Sequence, residues 1–154
     1  MFHRIALITT FASCAFSGVA IADEQADPNV AARHAYMSLL AYNLGVVGGM
    51  AQNRMPYDAE MAATAAVNLN ALAMVDTSRM WAEGTDNFSM DGNAALPAIW
   101  ENPDDFAARF TSLQTATETM AAVAGTDLAS LQGALGALGG SCGGCHRAYR
   151  QPDE

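Results

Sequence analysis

Cys142, Cys145 and His146 form a Cys-x-x-Cys-His inside "GGSCGGCHRAYR", residues 139–150 of a 154-residue chain whose remaining cysteine is Cys14. Two thiols at i and i+3 on a helix lie one turn apart, and the next residue is rotated by about 100°. Sulfurs so placed can each bond one of the two vinyl groups of a single haem, with the following histidine over the iron. This is the signature of c-type haem attachment. Three other chemistries use paired cysteines. A dithiol redox pair usually sits at a helix N-terminus beside a strand, where the dipole lowers the thiol pKa. A structural zinc site needs four protein ligands, and beyond residue 22 the remaining His or Cys is His34. A disulfide within Cys-x-x-Cys on a continuous helix would be strained. Covalent haem is the favoured reading, with the redox pair next.

The residues around the motif say what must position it. Leu128, Leu131, Leu135, Leu138, Cys142, Cys145 and Tyr149 recur every three or four residues, so the cysteines fall on the apolar seam of a helix expected over 127–150. Three more helices are expected. The first spans 28–50, with Asp27 as N-cap, Pro28 in the first turn, and a seam of Val30, Met37, Leu40, Leu44 and Val47 that includes Arg33. Gly48 and Gly49 are expected to loosen its end. The second spans 58–76, with Met61, Ala65, Leu69 and Leu72 inward. The third spans 103–124, capped by Asn102, with Phe106, Phe110, Leu113, Thr117, Met120 and Ala124 on its seam. No stretch alternates with period two, so no sheet is expected. The fold class is therefore all-α, an antiparallel four-helix bundle. The loop at about 78–97 is long enough to be covering something. Six glycines between 133 and 144 would be tolerated if a planar group or a neighbouring helix approached that backbone closely; the alternative is a loose helix.

The first 22 residues look like an address. Arg4 precedes an uncharged apolar run, and Ala20-Ile21-Ala22 is a small-x-small site followed by acidic "DEQADP". A secretory signal peptide cleaved after Ala22 is expected, leaving one domain over 23–154 in the periplasm; a retained anchor or a lipoprotein at Cys14 fits less well. The chain has no lysine, seven arginines and sixteen acids, for a net charge of −9; losing Arg4 makes it −10. That argues against nucleic-acid partners and anionic membranes, and favours a basic redox partner whose association weakens with salt. No Ser/His/Asp set, acid pair or phosphate loop is evident, so an enzyme is not expected.

A haem signature at the end of the fourth helix of an exported bundle resembles the class II cytochromes c, and the cytochrome c′ family in particular. The carrying stretches are "RHAYM", "PYDAE", "PAIWENPDDF" and "GGSCGGCHRAYR", within residues 28–150. The resemblance implies one haem c per chain, thioethers from Cys142 and Cys145, and His146 as axial ligand. It implies a homodimer packed through the first two helices, to which "YNLGVVGGMA" could lend small residues. It implies diatomic gas ligands such as NO and CO. Arg150 matches a basic residue beside the axial histidine, and Arg33 an arginine near the haem propionates. An arginine on an apolar seam also needs an anionic partner. Met37 stands where the family places its distal residue, either a bulky non-bonding side chain or, in a low-spin branch, a sixth ligand; the non-bonding role is favoured. His34 is expected at the surface, and Trp81 and Trp100 against the bundle or the haem edge.

Overall fold

A computed structural model describes residues 27–152. The expected leader, its cleavage site and Cys14 lie outside the described residues. Four long helices form the bundle: α1 (Pro28–Ala51), α2 (Ala59–Ala73), α4 (Pro103–Val123) and α5 (Leu128–Tyr149); a single turn, α3 (Ala98–Glu101), precedes α4. Three helices start on aspartate caps. Asp27 accepts from the amides of Asn29 and Val30, Asp58 from Met61, and Asp127 from Ser130. Each such cap contributes about 1 kcal/mol. Asn102 occupies the corresponding position before α4, but its side-chain amide donates backward to Ala98 instead.

Side-chain bonds fix the directions. Gln132 near the start of α5 donates to the Ala51 carbonyl at the end of α1, and Tyr57 ahead of α2 donates to Ala124 at the end of α4. Neighbouring helices are thus antiparallel. The core between them is Val47, Met50, Leu69, Met120, Leu131 and Leu138, with Ala62, Ala65 and Ala66 letting α2 approach closely. At the α4–α5 turn the approach is closer still: a Cβ on Gly125 would lie 2.9 Å from Cβ of Ala63, so only glycine fits.

Two expected seams shift by a residue. On α1 the buried stripe is Val30, Arg33, Tyr36, Asn43, Val47, whereas Met37, Leu40 and Leu44 flank it half-buried. On α2 the alanine face turns inward and Met61 is exposed. Alanine burial is a weak periodic signal, so the larger methionine misled the reading. Gly48 and Gly49 do not loosen α1: both are buried, and Arg54 and Met55 fold back to donate to the Gly49 carbonyl. No neighbouring helix accounts for four of the six glycines of α5. A Cβ at Gly133, Gly136, Gly139 or Gly140 would meet nothing within 4 Å. No close approach within the monomer accounts for them, so they weaken the helix. Gly136→Ala is expected to stabilise the holoprotein by about 1 kcal/mol, read as a higher urea midpoint at unchanged slope.

α2 has 15 residues against 21 to 24 in the other three long helices. The shortfall falls at one end of the bundle, where the segment 74–97 crosses from α2 to α4. It holds a 3-10 turn, Ser78–Met80, and one isolated bridge, Ala95 to Arg150. None of the described helices is long and apolar enough to cross a membrane.

Candidate functional site

That end of the bundle holds a cavity of about 530 Å³. Its walls are α1 (Arg33, His34, Met37), the crossing segment (Trp81 and residues 92–95) and the end of α5 with its tail (Cys145, His146, Tyr149 to Pro152); Ile99, Phe106 and Phe110 close it from α3 and α4. A second hollow of about 40 Å³ adjoins, lined by Met37, Phe110, Cys142, Cys145 and His146 among others. The two share Met37, Phe110, Cys145 and His146. The volume lies in the range of cofactor sites. Its lining is mostly apolar and aromatic, with a cationic or imidazole side chain at four positions. These residues fit a large, flat, apolar group with acidic edges.

The aromatic wall is built edge to face. Phe106 meets Trp81, Tyr149 and Phe110 with ring centroids 4.8, 5.1 and 5.3 Å apart. Such pairs contribute about 0.5–1.5 kcal/mol each beyond their burial. Trp100 donates through Nε1 to the Trp81 carbonyl. Both tryptophans therefore pack the bundle end, as expected, and Trp81 also borders the cavity.

Cys142 and Cys145 are half-buried and not disulfide-bonded to each other. Burial pushes both thiols up, Cys145 to about 11 despite the lowering by nearby Arg109. At neutral pH they are protonated. A dithiol oxidoreductase needs the opposite, a thiol pKa depressed below its free value. Among the described residues no cluster of three His, Cys, Asp or Glu could hold a bare metal ion. The raised thiols and the lack of a metal-binding cluster among the described residues lend no support to the redox and zinc rivals.

His146 is exposed and lines both hollows. Arg150 ends α5 in extended backbone, its amide donating to the His146 carbonyl at 3.0 Å, and its side chain borders the same cavity. His34 is exposed, as expected, yet it also borders the cavity.

Arg33 is buried, but its hydrogen-bond partners are not anionic. It donates to the carbonyls of Met80 and Thr85, to Thr85 Oγ1 and to Asn93 Oδ1, and its guanidinium lies 4.5 Å from the centre of the Trp81 ring. Neutral acceptors and an aromatic face satisfy it. Burial lowers its pKa, partly offset by Asp27. A propionate contact would take a donor from this set.

Several groups at this end escaped the sequence reading. Tyr36 is buried on α1, and its hydroxyl has no hydrogen-bond partner among the described residues. Burial and the proximity of Cys142 raise its pKa. Asp105 accepts from the Tyr149 hydroxyl at 2.6 Å, and Arg109 forks onto both of its oxygens at 2.9–3.1 Å. The i, i+4 spacing of Asp105 and Arg109 was the available signal. Tyr149 first, then Arg109, hold the Asp105 carboxyl below its ordinary value. A depressed carboxylate contributes stability above its unfolded pKa, and that contribution is lost as pH falls through the folded one. Tyr149→Phe should raise the Asp105 pKa, measured by carbon-13 NMR of the carboxyl, and shift this acid loss to higher pH. An unmoved titration would show the 2.6 Å contact to be inconsequential.

The family model described as Cytochrome C′ matches residues 28–150. Two relatives from Cereibacter sphaeroides align over 148 residues, 96% of this chain and 97% of each relative: a cytochrome c-554 at 47% identity and a cytochrome c′ at 35%. A solved cytochrome c′ from Rhodobacter sphaeroides superposes with a TM-score of 0.79 at 36% identity, covering 81% of this chain and 96% of that one. A nitric oxide complex of a variant cytochrome c prime from Alcaligenes xylosoxidans superposes with a TM-score of 0.69 at 28% identity, covering 80% and 94%. A bundle whose short second helix leaves an apolar cavity beside a Cys-x-x-Cys-His, matched by a family model across every helix, belongs to the cytochrome c′ family.

Proposed function

We propose that Cys142 and Cys145 hold the haem through two thioethers, that His146 is its axial ligand, and that Met37 faces the opposite side without bonding. Family membership carries one covalently attached haem c per chain and a role in electron transfer and gas binding. When bound, the haem supplies reversible one-electron exchange and a coordination position for a diatomic gas. The chain's own residues do the rest. Cys142 and Cys145 would hold the haem by net addition of each S–H across one vinyl group, which needs no oxidant. The aromatic wall and Met37 exclude water from the distal side. Arg150 keeps a positive charge beside His146.

The observation that carries this reading is the meeting of Met37, Cys145 and His146 at both hollows. Optical spectra of both oxidation states test it. A high-spin, five-coordinate ferrous spectrum that changes on adding CO or NO is expected; a protein without haem bands would refute it. The nitric oxide complex of the Alcaligenes relative supports a gas-binding role. A second reading, a low-spin His/Met electron carrier, keeps support from the half-buried Met37 that borders both hollows with His146. Sharp ferrous α and β bands would favour it.

Export to the periplasm and cleavage after Ala22 belong to this proposal; a mature protein that begins at Met1 would overturn them. So does a homodimer through α1 and α2. Gly48 and Gly49 are used inside the monomer, so the surface available is Leu39 and Tyr42 of α1 with Met61 of α2, all exposed. Tyr42→Asp should shift a dimer toward monomer by light scattering, and a wild-type monomer at micromolar concentration would remove the idea. The redox partner is proposed to be basic, matching the acidic chain, with association slowed by salt.

A further inference from the structure

Arg33 is a costly way to fasten a loop. Its charge is buried, with 4% of its surface exposed, and desolvating a guanidinium is unfavourable unless its donors are filled. They are filled in a particular way. Nε and Nη2 converge on the Met80 carbonyl at 3.2 and 2.9 Å. Nη2 reaches Thr85 Oγ1 at 2.7 Å, and Nη1 reaches the Thr85 carbonyl and Asn93 Oδ1, each at 3.2 Å. Thr85 is itself buried and donates to the Ala82 carbonyl. Asn93 donates to the Thr85 carbonyl and accepts from the Ala95 amide.

The bonding continues across the cavity. The Gln151 amide donates to Ala94, the Leu96 amide to Tyr149, and the Asn87 side chain to that of Gln151. An unbroken path therefore runs from α1 through residues 80–96 to the end of α5. Its two ends matter. Arg33 stands one turn before Met37, and Arg150 one turn after His146, so the segment is a strap joining the wall that carries Met37 to the wall that carries His146.

We propose that Arg33 is a positioning residue which, through Thr85 and Asn93, tensions this strap and so sets how closely Met37 stands to the position opposite His146. The proposal rests on the haem reading above. Loosening the strap lets α1 and Met37 move away from α5, which opens the approach to that position for a small gas.

The test uses the haem-loaded protein and two readouts: CO association with the ferrous form, and hydrogen exchange at the amides of Ala95, Leu96 and Gln151. Arg33→Lys keeps the charge and loses the fork; Thr85→Val loses one acceptor and keeps the shape, so it serves if the first variant folds poorly. Each should bind CO about tenfold faster, the equivalent of about 1.4 kcal/mol, as expected for losing one charge-assisted bond. Each should also exchange faster at the three amides. Asp127→Ala removes a helix cap at the far end and should leave both readouts at wild-type values. Unchanged CO rates or unchanged exchange in both strap variants overturn the proposal, as does an equal rise in Asp127→Ala. If the wild type bound no CO, the reading of Met37 as non-bonding would fall, and the exchange data would still decide whether Arg33 holds the strap.

Discussion

Serine at both Cys142 and Cys145 is expected to give a protein from which acidified acetone extracts all haem, while either single substitution leaves the haem attached by one bond. The thiols stand one turn apart on α5 and both border the smaller hollow. The double variant should lose more than the attachment. A cavity of about 530 Å³ is far larger than the voids that single core truncations leave. Left unfilled, its apolar and aromatic lining faces water rather than a packed group, which weakens this end of the bundle. Haem-free protein should therefore lose near-ultraviolet circular dichroism, chiefly from Trp81, Trp100 and Phe106 at the cavity end, while keeping much of its helical signal. A mass spectrum and the two dichroism ranges read this directly. A double variant with undiminished aromatic signal and no haem would show that the cavity end is self-supporting.

The helix seams and their punctuation made most of the architecture legible. Asp27–Pro28 and Asp127 locate two helix starts to within a residue because capping chemistry is local, and Pro103 locates a third although Asn102 makes no cap bond. The α5 seam is legible because leucine and cysteine recur without interruption. The α2 face was harder to read because alanine buries as readily as it stays exposed, and one large methionine outweighed it. The motif likewise announced its chemistry, and nothing in the cavity conflicts with it. What local pattern cannot announce is a partner distant in sequence. Arg33 on an apolar stripe signalled an anionic partner, but neutral acceptors 47 to 60 residues away, in a loop without periodicity, take its donors instead. The same applies to Tyr149 and Asp105, 44 residues apart. Tyr36 was missed for a geometric reason: one residue of drift in the α1 seam exchanges it with Met37 as the more buried side chain.

Met37→Ala is expected to accelerate CO association with the ferrous protein by about tenfold or more, and Met37→Leu to leave it within a few-fold of wild type. The argument runs from place to chemistry. Met37 is half-buried because it faces a cavity rather than a neighbouring helix, and it lines both hollows together with His146. A gas approaching the side opposite His146 must displace whatever occupies that space. A methionine side chain there contributes apolar contact of roughly 1.5–3 kcal/mol when buried, so removing it lowers the barrier by a comparable fraction. Leucine has similar volume and restores the block. Thioether sulfur can also coordinate iron, which makes the leucine variant decisive. If Met37 does not bond, wild type and Met37→Leu share a high-spin ferrous spectrum, and only the alanine variant changes its kinetics. If Met37 ligates, the wild type has sharp low-spin bands that Met37→Leu abolishes, and leucine as well as alanine then accelerates CO binding over wild type. In that case the iron is closed by a bond rather than by a gate, and the protein's work is electron transfer rather than gas binding.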